Sequence, residues 1–176
     1  TVQVTAPAPD LSGAVCWSGL SGLQMPDGPG QQKRYVLDTH VTADGSFVMC
    51  GYQYQPGGIT YVYNMFLTKF DPSGNLLWDQ LIDPADQGTD YRSSFGTSLT
   101  SDPDGNIYLG GSFASNSFVL GTTTYTQTAA VPRGFVAKLD PSGTYLWVVL
   151  SGAISAPTGV SSVAYEDEGH LYAIFK

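Results

Sequence analysis

The chain has 176 residues, a net charge of −8, and charged side chains at only 12% of its positions, about half the share usual in soluble domains. Its seven lysines and arginines are scattered, which argues against a nucleic-acid partner, because affinity for phosphates depends on clustered basic residues. No run of about 18 apolar residues occurs, so we expect no transmembrane segment. Abundant glycine and tyrosine favour strands and turns and predict an all-β fold.

The first predicted element is a strand at residues 13–19, which follows an N-terminal extension of residues 1–12. It contains Cys16, and Cys50 is the only other cysteine. Two alternatives stay open: the pair forms a disulfide in an oxidising compartment, or both are small buried apolar side chains. The low charge and the polar, glycine-rich composition favour a bacterial protein exported to the cell surface or the extracellular space.

Three hairpins are predicted where an acidic residue precedes a glycine and apolar residues flank the pair. The pairs are Asp44-Gly45, Asp104-Gly105 and Glu168-Gly169. Their offsets of 60 and 64 residues indicate that each hairpin occupies the same place in a repeating unit.

A thirteen-residue motif predicts two further hairpins, each with Asp-Pro-Ser-Gly as its turn. It reads FLTKFDPSGNLLW at residues 66–78 and FVAKLDPSGTYLW at residues 135–147, with eight identical positions at an offset of 69. Because repeated positions more often serve packing than chemistry, we assign them to contacts between repeats. The assigned residues are Phe66, Lys69, Trp78, Phe135, Lys138 and Trp147, together with the earlier Trp17.

Four strands in about 60 to 69 residues are typical of a β-propeller blade. We predict complete blades at residues 35–82 and 94–151 and an incomplete blade at residues 159–176. With the first strand, residues 13–176 form a partial propeller of about two and a half to three blades of four antiparallel strands. We expect the chain to be a piece of a longer protein or a subunit that closes with copies of itself.

These motifs resemble the bacterial SBBP family, whose repeats form seven-bladed β-propellers. The matching residues are 104–111, which read DGNIYLGG, and 135–143, which read FVAKLDPSG, followed by Trp147. The resemblance implies a secreted or surface-exposed propeller, often part of a larger protein, and it provides no catalytic residues to carry over.

Asp102, Asp104 and Asn106 resemble part of a calcium loop, because carboxylate and amide oxygens alternate there. The later ligands of an EF-hand are missing, and turn geometry explains the same residues. We therefore predict no cofactor and keep calcium as the alternative. The acidic residues that follow Trp78 are interpreted as a solvated loop.

A long polar connection at residues 113–133 contains Phe118 and Tyr125, which we predict as candidate contacts with a partner. The alternative is a surface hairpin that only extends the blade. No zinc-ligand spacing, Walker loop or nucleophile elbow is found, so no catalytic or metal residue is assigned.

We expect a non-catalytic extracellular or cell-surface scaffold for adhesion or assembly. Its partners would be a protein, a glycan, or further blades of the same or a neighbouring chain. The alternative is part of a propeller enzyme of the PQQ-dependent or polysaccharide-active kind.

Overall fold

The computed structural model of the chain describes residues 33–57, 60–82, 92–126, 132–152, 159–166 and 168–175. The predicted strand at residues 13–19, with Cys16 and Trp17, lies outside these ranges. Within them the chain forms twelve strands and no helix, which confirms the all-β prediction. The described residues accordingly include no helix that could cross a membrane.

The first unit is an antiparallel meander in which each of four strands pairs with the next. Its strands are β1 (Lys33–Val41), β2 (Phe47–Gly57), β3 (Thr60–Phe70) and β4 (Leu76–Ile82). Their aromatic and β-branched residues fit a pleated surface that is buried on at least one side.

The second unit repeats this order around one inserted hairpin. It starts with β5 (Arg92–Ser101) and β6 (Ile107–Ala114), continues with the inserted β7 (Ser117–Leu120) and β8 (Thr123–Thr126), and ends with β9 (Arg133–Leu139) and β10 (Tyr145–Leu150). A last hairpin consists of β11 (Val160–Tyr165) and β12 (Leu171–Phe175).

A short parallel contact between β3 and β5 joins the two units into one mixed sheet. It places Val62 opposite Arg92 and Tyr63 opposite Ser93. The described strands close no ring or barrel, so the number of blades stays a prediction.

Every predicted hairpin turn has the same five-residue geometry, with a glycine in fourth place. In the turn after β3, the Asp71 N–H donates to the Asn75 carbonyl at 2.9 Å and the Gly74 N–H donates to the Asp71 carbonyl at 3.0 Å. The glycines have φ between 79° and 91°, a left-handed conformation that glycine adopts easily. The other four are Gly45, Gly105, Gly143 and Gly169.

A β-bulge recurs at matching places in the repeating units. β1, β5 and β11 each carry one extra residue, at Leu37, Thr97 and Ser161, with the same offsets of 60 and 64 as the acid–glycine pairs. Leu77 in β4 and Leu146 in β10 are the corresponding extra residues of the later strands, 69 residues apart. The sequence repeat therefore extends to the backbone irregularities.

The main core lies between the two units, because its buried residues come from both. Leu67 of the first unit is fully buried in it with Leu109 and Phe135 of the second. A smaller core joins the second unit to the last hairpin through contacts that include Val136 and Val160. Successive units are thus packed face against face.

We predict that Gly51→Ala destabilises the protein by at least about 2 kcal/mol, because its methyl group would overlap the carbonyl oxygen of Tyr35 beside the bulge. Urea denaturation measures the free energy of unfolding. Gly152→Ala is the matched control, since nothing lies within 4 Å of the added methyl group. Equal effects of the two substitutions would contradict the role of this close approach.

Candidate functional site

The turn between β9 and β10 is held by three side chains of the first unit. The buried Lys69 ammonium and the Trp78 indole N–H donate to the Pro141 carbonyl at 3.3 and 3.2 Å. The Gln80 side-chain amide donates to the Gly143 carbonyl at 2.7 Å. The repeated lysine and tryptophan of the first unit therefore bind the neighbouring unit.

Trp147 occupies the position of Trp78 in the second unit, but it lacks an equivalent cover. Each tryptophan pairs with the repeated lysine, Lys69 or Lys138, beside a bulge. Trp147 is nevertheless 39% exposed, and its indole N–H has no acceptor among the described residues. The predicted packing between units is therefore seen for Trp78 and not for Trp147. The reason is that β11 and β12 face only part of the second unit.

A hydrogen bond between first strands also repeats from unit to unit. The Asp38 carboxylate in β1 accepts from the Leu99 backbone N–H in β5 at 2.7 Å. The Ser98 hydroxyl in β5 accepts from the Val163 backbone N–H in β11 at 3.1 Å. Both acceptors directly follow the bulge, 60 residues apart. The sequence analysis missed them, although the offset was the available signal.

A buried ion pair anchors the turn between β5 and β6. The Lys138 ammonium lies 3.1 Å from a carboxylate oxygen of Asp102 and 5.0 Å from the centre of the Tyr108 ring. The Tyr108 hydroxyl and the Asn106 side-chain amide donate to the same carboxylate. Burial would raise the pKa of Asp102, but these hydrogen bonds outweigh burial and hold its pKa below the ordinary value.

The same contacts account for two of the three candidate calcium ligands. Asp102 is engaged by Lys138 and Asn106, and Asp104 is exposed at the outer side of the turn. Glu166, Glu168 and His170 lie within 4.8 Å of one another in the corresponding turn of the last hairpin, where Glu166 and His170 form a hydrogen bond of 3.0 Å. These exposed groups are explained as turn residues.

A polar network crosses all four strands of the first unit. The Arg34 guanidinium donates to both carboxylate oxygens of Asp79 at 2.7 Å and to Gln53 at 3.0 Å. The Thr68 hydroxyl also donates to Asp79 at 2.6 Å, and Arg34 lies 4.9 Å from the centre of the fully buried Phe66 ring. Asp79 is therefore a structural ion-pair partner and not part of a solvated acidic loop.

The second unit replaces this network with small and apolar side chains. At the offsets of 60 and 69, the counterparts of Arg34, Gln53, Thr68 and Asp79 are Ser94, Phe113, Ala137 and Val148. Phe118 of the inserted hairpin stacks on Phe113 at 4.5 Å and is fully buried. This corrects the prediction of Phe118 as a partner contact, because a ring inside the core cannot reach a partner. Tyr125 packs partly against the same core.

The Cys50 side chain is fully buried in the core between the units. Burial raises the pKa of its thiol, with a smaller contribution from the charge of Asp38. Cys16 lies outside the described residues, and so does the predicted pairing of the two cysteines.

Comparison with known proteins yields no assignment: no protein-family model matches the chain, and no curated protein matches it. The resemblance to the SBBP repeat therefore stays a prediction that rests on the quoted motifs.

We predict that Asp102→Asn lowers the free energy of unfolding at neutral pH by about 2–3 kcal/mol, because it removes the charge that pairs with Lys138. Since folding lowers the pKa of Asp102, its contribution is present above the unfolded pKa of about 3.9 and is lost as the pH falls through the folded value. Urea denaturation between neutral and acidic pH should therefore show a weaker pH dependence in the variant.

Asp140→Asn is the control, because Asp140 is an exposed residue that accepts the same kind of turn hydrogen bonds. We expect a smaller loss of stability from it. Equal losses, or an unchanged pH dependence in Asp102→Asn, would contradict the role of the buried ion pair.

Proposed function

We propose that the chain is a non-catalytic scaffold of β-propeller blades that acts at the bacterial cell surface or outside the cell. Its role is to bind protein or glycan partners and to pack against further blades. One observation carries the proposal: the residues that recur in both units hold turns and neighbouring units together. In this reading each unit is one blade, and β11 and β12 begin the next.

The contacts between successive units support the propeller arrangement. Asp38 links β1 to β5 and Ser98 links β5 to β11 through equivalent hydrogen bonds. Each unit also packs one sheet face on the next unit. Blades arranged around a common axis use such repeated contacts between their first strands and their faces.

The open face around Trp147 is the surface for a further blade. Trp147 is 39% exposed, and Val149, at the position of Gln80, is 58% exposed. On the last hairpin, Tyr172 and Ile174 are 55% and 62% exposed. Apolar side chains gathered in this way are typical of a protein contact.

A blade of a second copy of the chain is the partner that fits this face. Its turn at residues 71–74 has the same Asp-Pro-Ser-Gly sequence as the turn that covers Trp78, and Gly74 and Gly143 share a φ of 88°. Pro72 and Ser73 of that turn are exposed. The resulting head-to-tail contact leaves one open surface on each partner, so it extends to rings or filaments.

We predict that the chain associates with itself as its concentration rises, and that Trp147→Ala weakens this association at least about tenfold by removing the ring at the contact. Analytical ultracentrifugation measures the association constant. Because each copy carries a net charge of −8, added salt should strengthen the association.

Leu77→Ala is the matched control, because Leu77 is 51% exposed on β4 and lies outside the proposed contact. Its association constant should equal that of the unmodified chain. Monomers at every concentration, or equal weakening by Leu77→Ala and Trp147→Ala, would contradict the proposed packing.

A further inference from the structure

Five aromatic side chains gather at the junction of the two units, on the end of the strands opposite the hairpin turns. We call this group the tyrosine cluster. Its members are Tyr35, Tyr52, Tyr54, Tyr63 and Phe95. They come from four strands of both units, so the cluster exists only when the units are packed together.

The rings of the tyrosine cluster hold one another in fixed orientations. Tyr35 stacks on Tyr52 with ring centroids 4.9 Å apart and planes inclined by 17°. Tyr63 and Phe95 meet the Tyr52 ring edge-on at 5.4 and 5.1 Å. Tyr35 is 45% exposed. A ligand would therefore meet an ordered aromatic platform, which reduces the entropy lost on binding.

The repeat does not explain this cluster. At the offsets of 60 and 69, the second unit has Phe95, Ser112, Ala114 and Pro132 in place of the four tyrosines. The side chains that build the turns and the junction recur, whereas these tyrosines occur in the first unit alone. They therefore answer a requirement other than the packing of one unit on the next.

We propose that the tyrosine cluster is a binding site for a neutral oligosaccharide. The C–H groups on one face of a pyranose ring form an apolar surface that packs on an aromatic ring such as Tyr35. Sugar hydroxyls can then exchange hydrogen bonds with the phenol groups. The hydroxyls of Tyr35, Tyr52 and Tyr63 make no hydrogen bond to another residue in the part of the chain that the structure describes.

The charge of the site favours a neutral sugar over an anionic one. The tyrosine cluster itself contains no charged side chain, and the chain carries a net charge of −8, which repels an anionic ligand. Arg34, the cation next to Tyr35 in sequence, is already paired with Asp79. This inference rests on the proposed scaffold function and names a ligand class for it.

Isothermal titration calorimetry of the full chain tests the site with neutral oligosaccharides of glucose, mannose and N-acetylglucosamine, and with anionic oligogalacturonate. We expect at least one neutral oligosaccharide to bind and the anionic one not to bind. Tyr35→Ala should weaken binding about tenfold, because it removes the exposed ring. Tyr52→Phe should weaken it about threefold, because it keeps the ring and loses one hydrogen bond.

Tyr172→Ala is the matched control, because Tyr172 is a 55% exposed tyrosine outside the cluster. It should leave sugar affinity unchanged, and thermal unfolding of each variant separates lost binding from lost folding. The inference is overturned if no neutral oligosaccharide binds, if only oligogalacturonate binds, or if Tyr172→Ala weakens binding as much as Tyr35→Ala. Self-association through Trp147 is measured separately, so either proposal can fail without the other.

Discussion

The apolar layer between the facing sheets of the first and second units is the contact on which the rest of the structure depends. A strand directs alternate side chains to opposite faces, so a sheet that is apolar on both faces needs a cover on each. The second unit covers one face of the first, and β11 and β12 cover part of the second. Exposed Trp147 lies beyond the part that the last hairpin covers.

Face-to-face packing of this kind requires that each strand keep its register, since a slip by one residue would exchange the two faces. The shared turn and the recurring bulges fix that register. In the turn after β9, one carboxylate oxygen of Asp140 accepts from the backbone N–H groups of Ser142 and Thr144. Gly51 and Gly111 leave room for the carbonyl groups of the bulged strands. Local chemistry thus decides which side chains reach the junction.

The two units differ where they meet different neighbours. The first unit carries the Arg34–Asp79 ion pair, whereas the corresponding part of the second unit is apolar and packs under the inserted hairpin. The insertion therefore adds to the core without changing the order of the surrounding strands. In the same way the tyrosine cluster belongs to the first unit alone. Such differences separate the features that build the scaffold from those available for binding.

The sequence by itself determined the all-β class, the five hairpins and the offsets of the repeat, because turns depend on neighbouring residues. A proline presets φ and a glycine accepts a positive φ wherever the chain is folded. It also indicated that Lys69 and Trp78 serve packing, since their motif recurs.

Only the tertiary structure decided which residues meet across units. The acceptor roles of Asp38 and Ser98, the burial of Phe118 and the gathering of the tyrosines involve partners on different strands, many of them distant in sequence. Trp78 and Trp147 illustrate the limit best, because their sequence motifs are nearly identical and their surroundings differ. The physical reason is that burial depends on what covers a side chain, and the cover comes from another part of the fold.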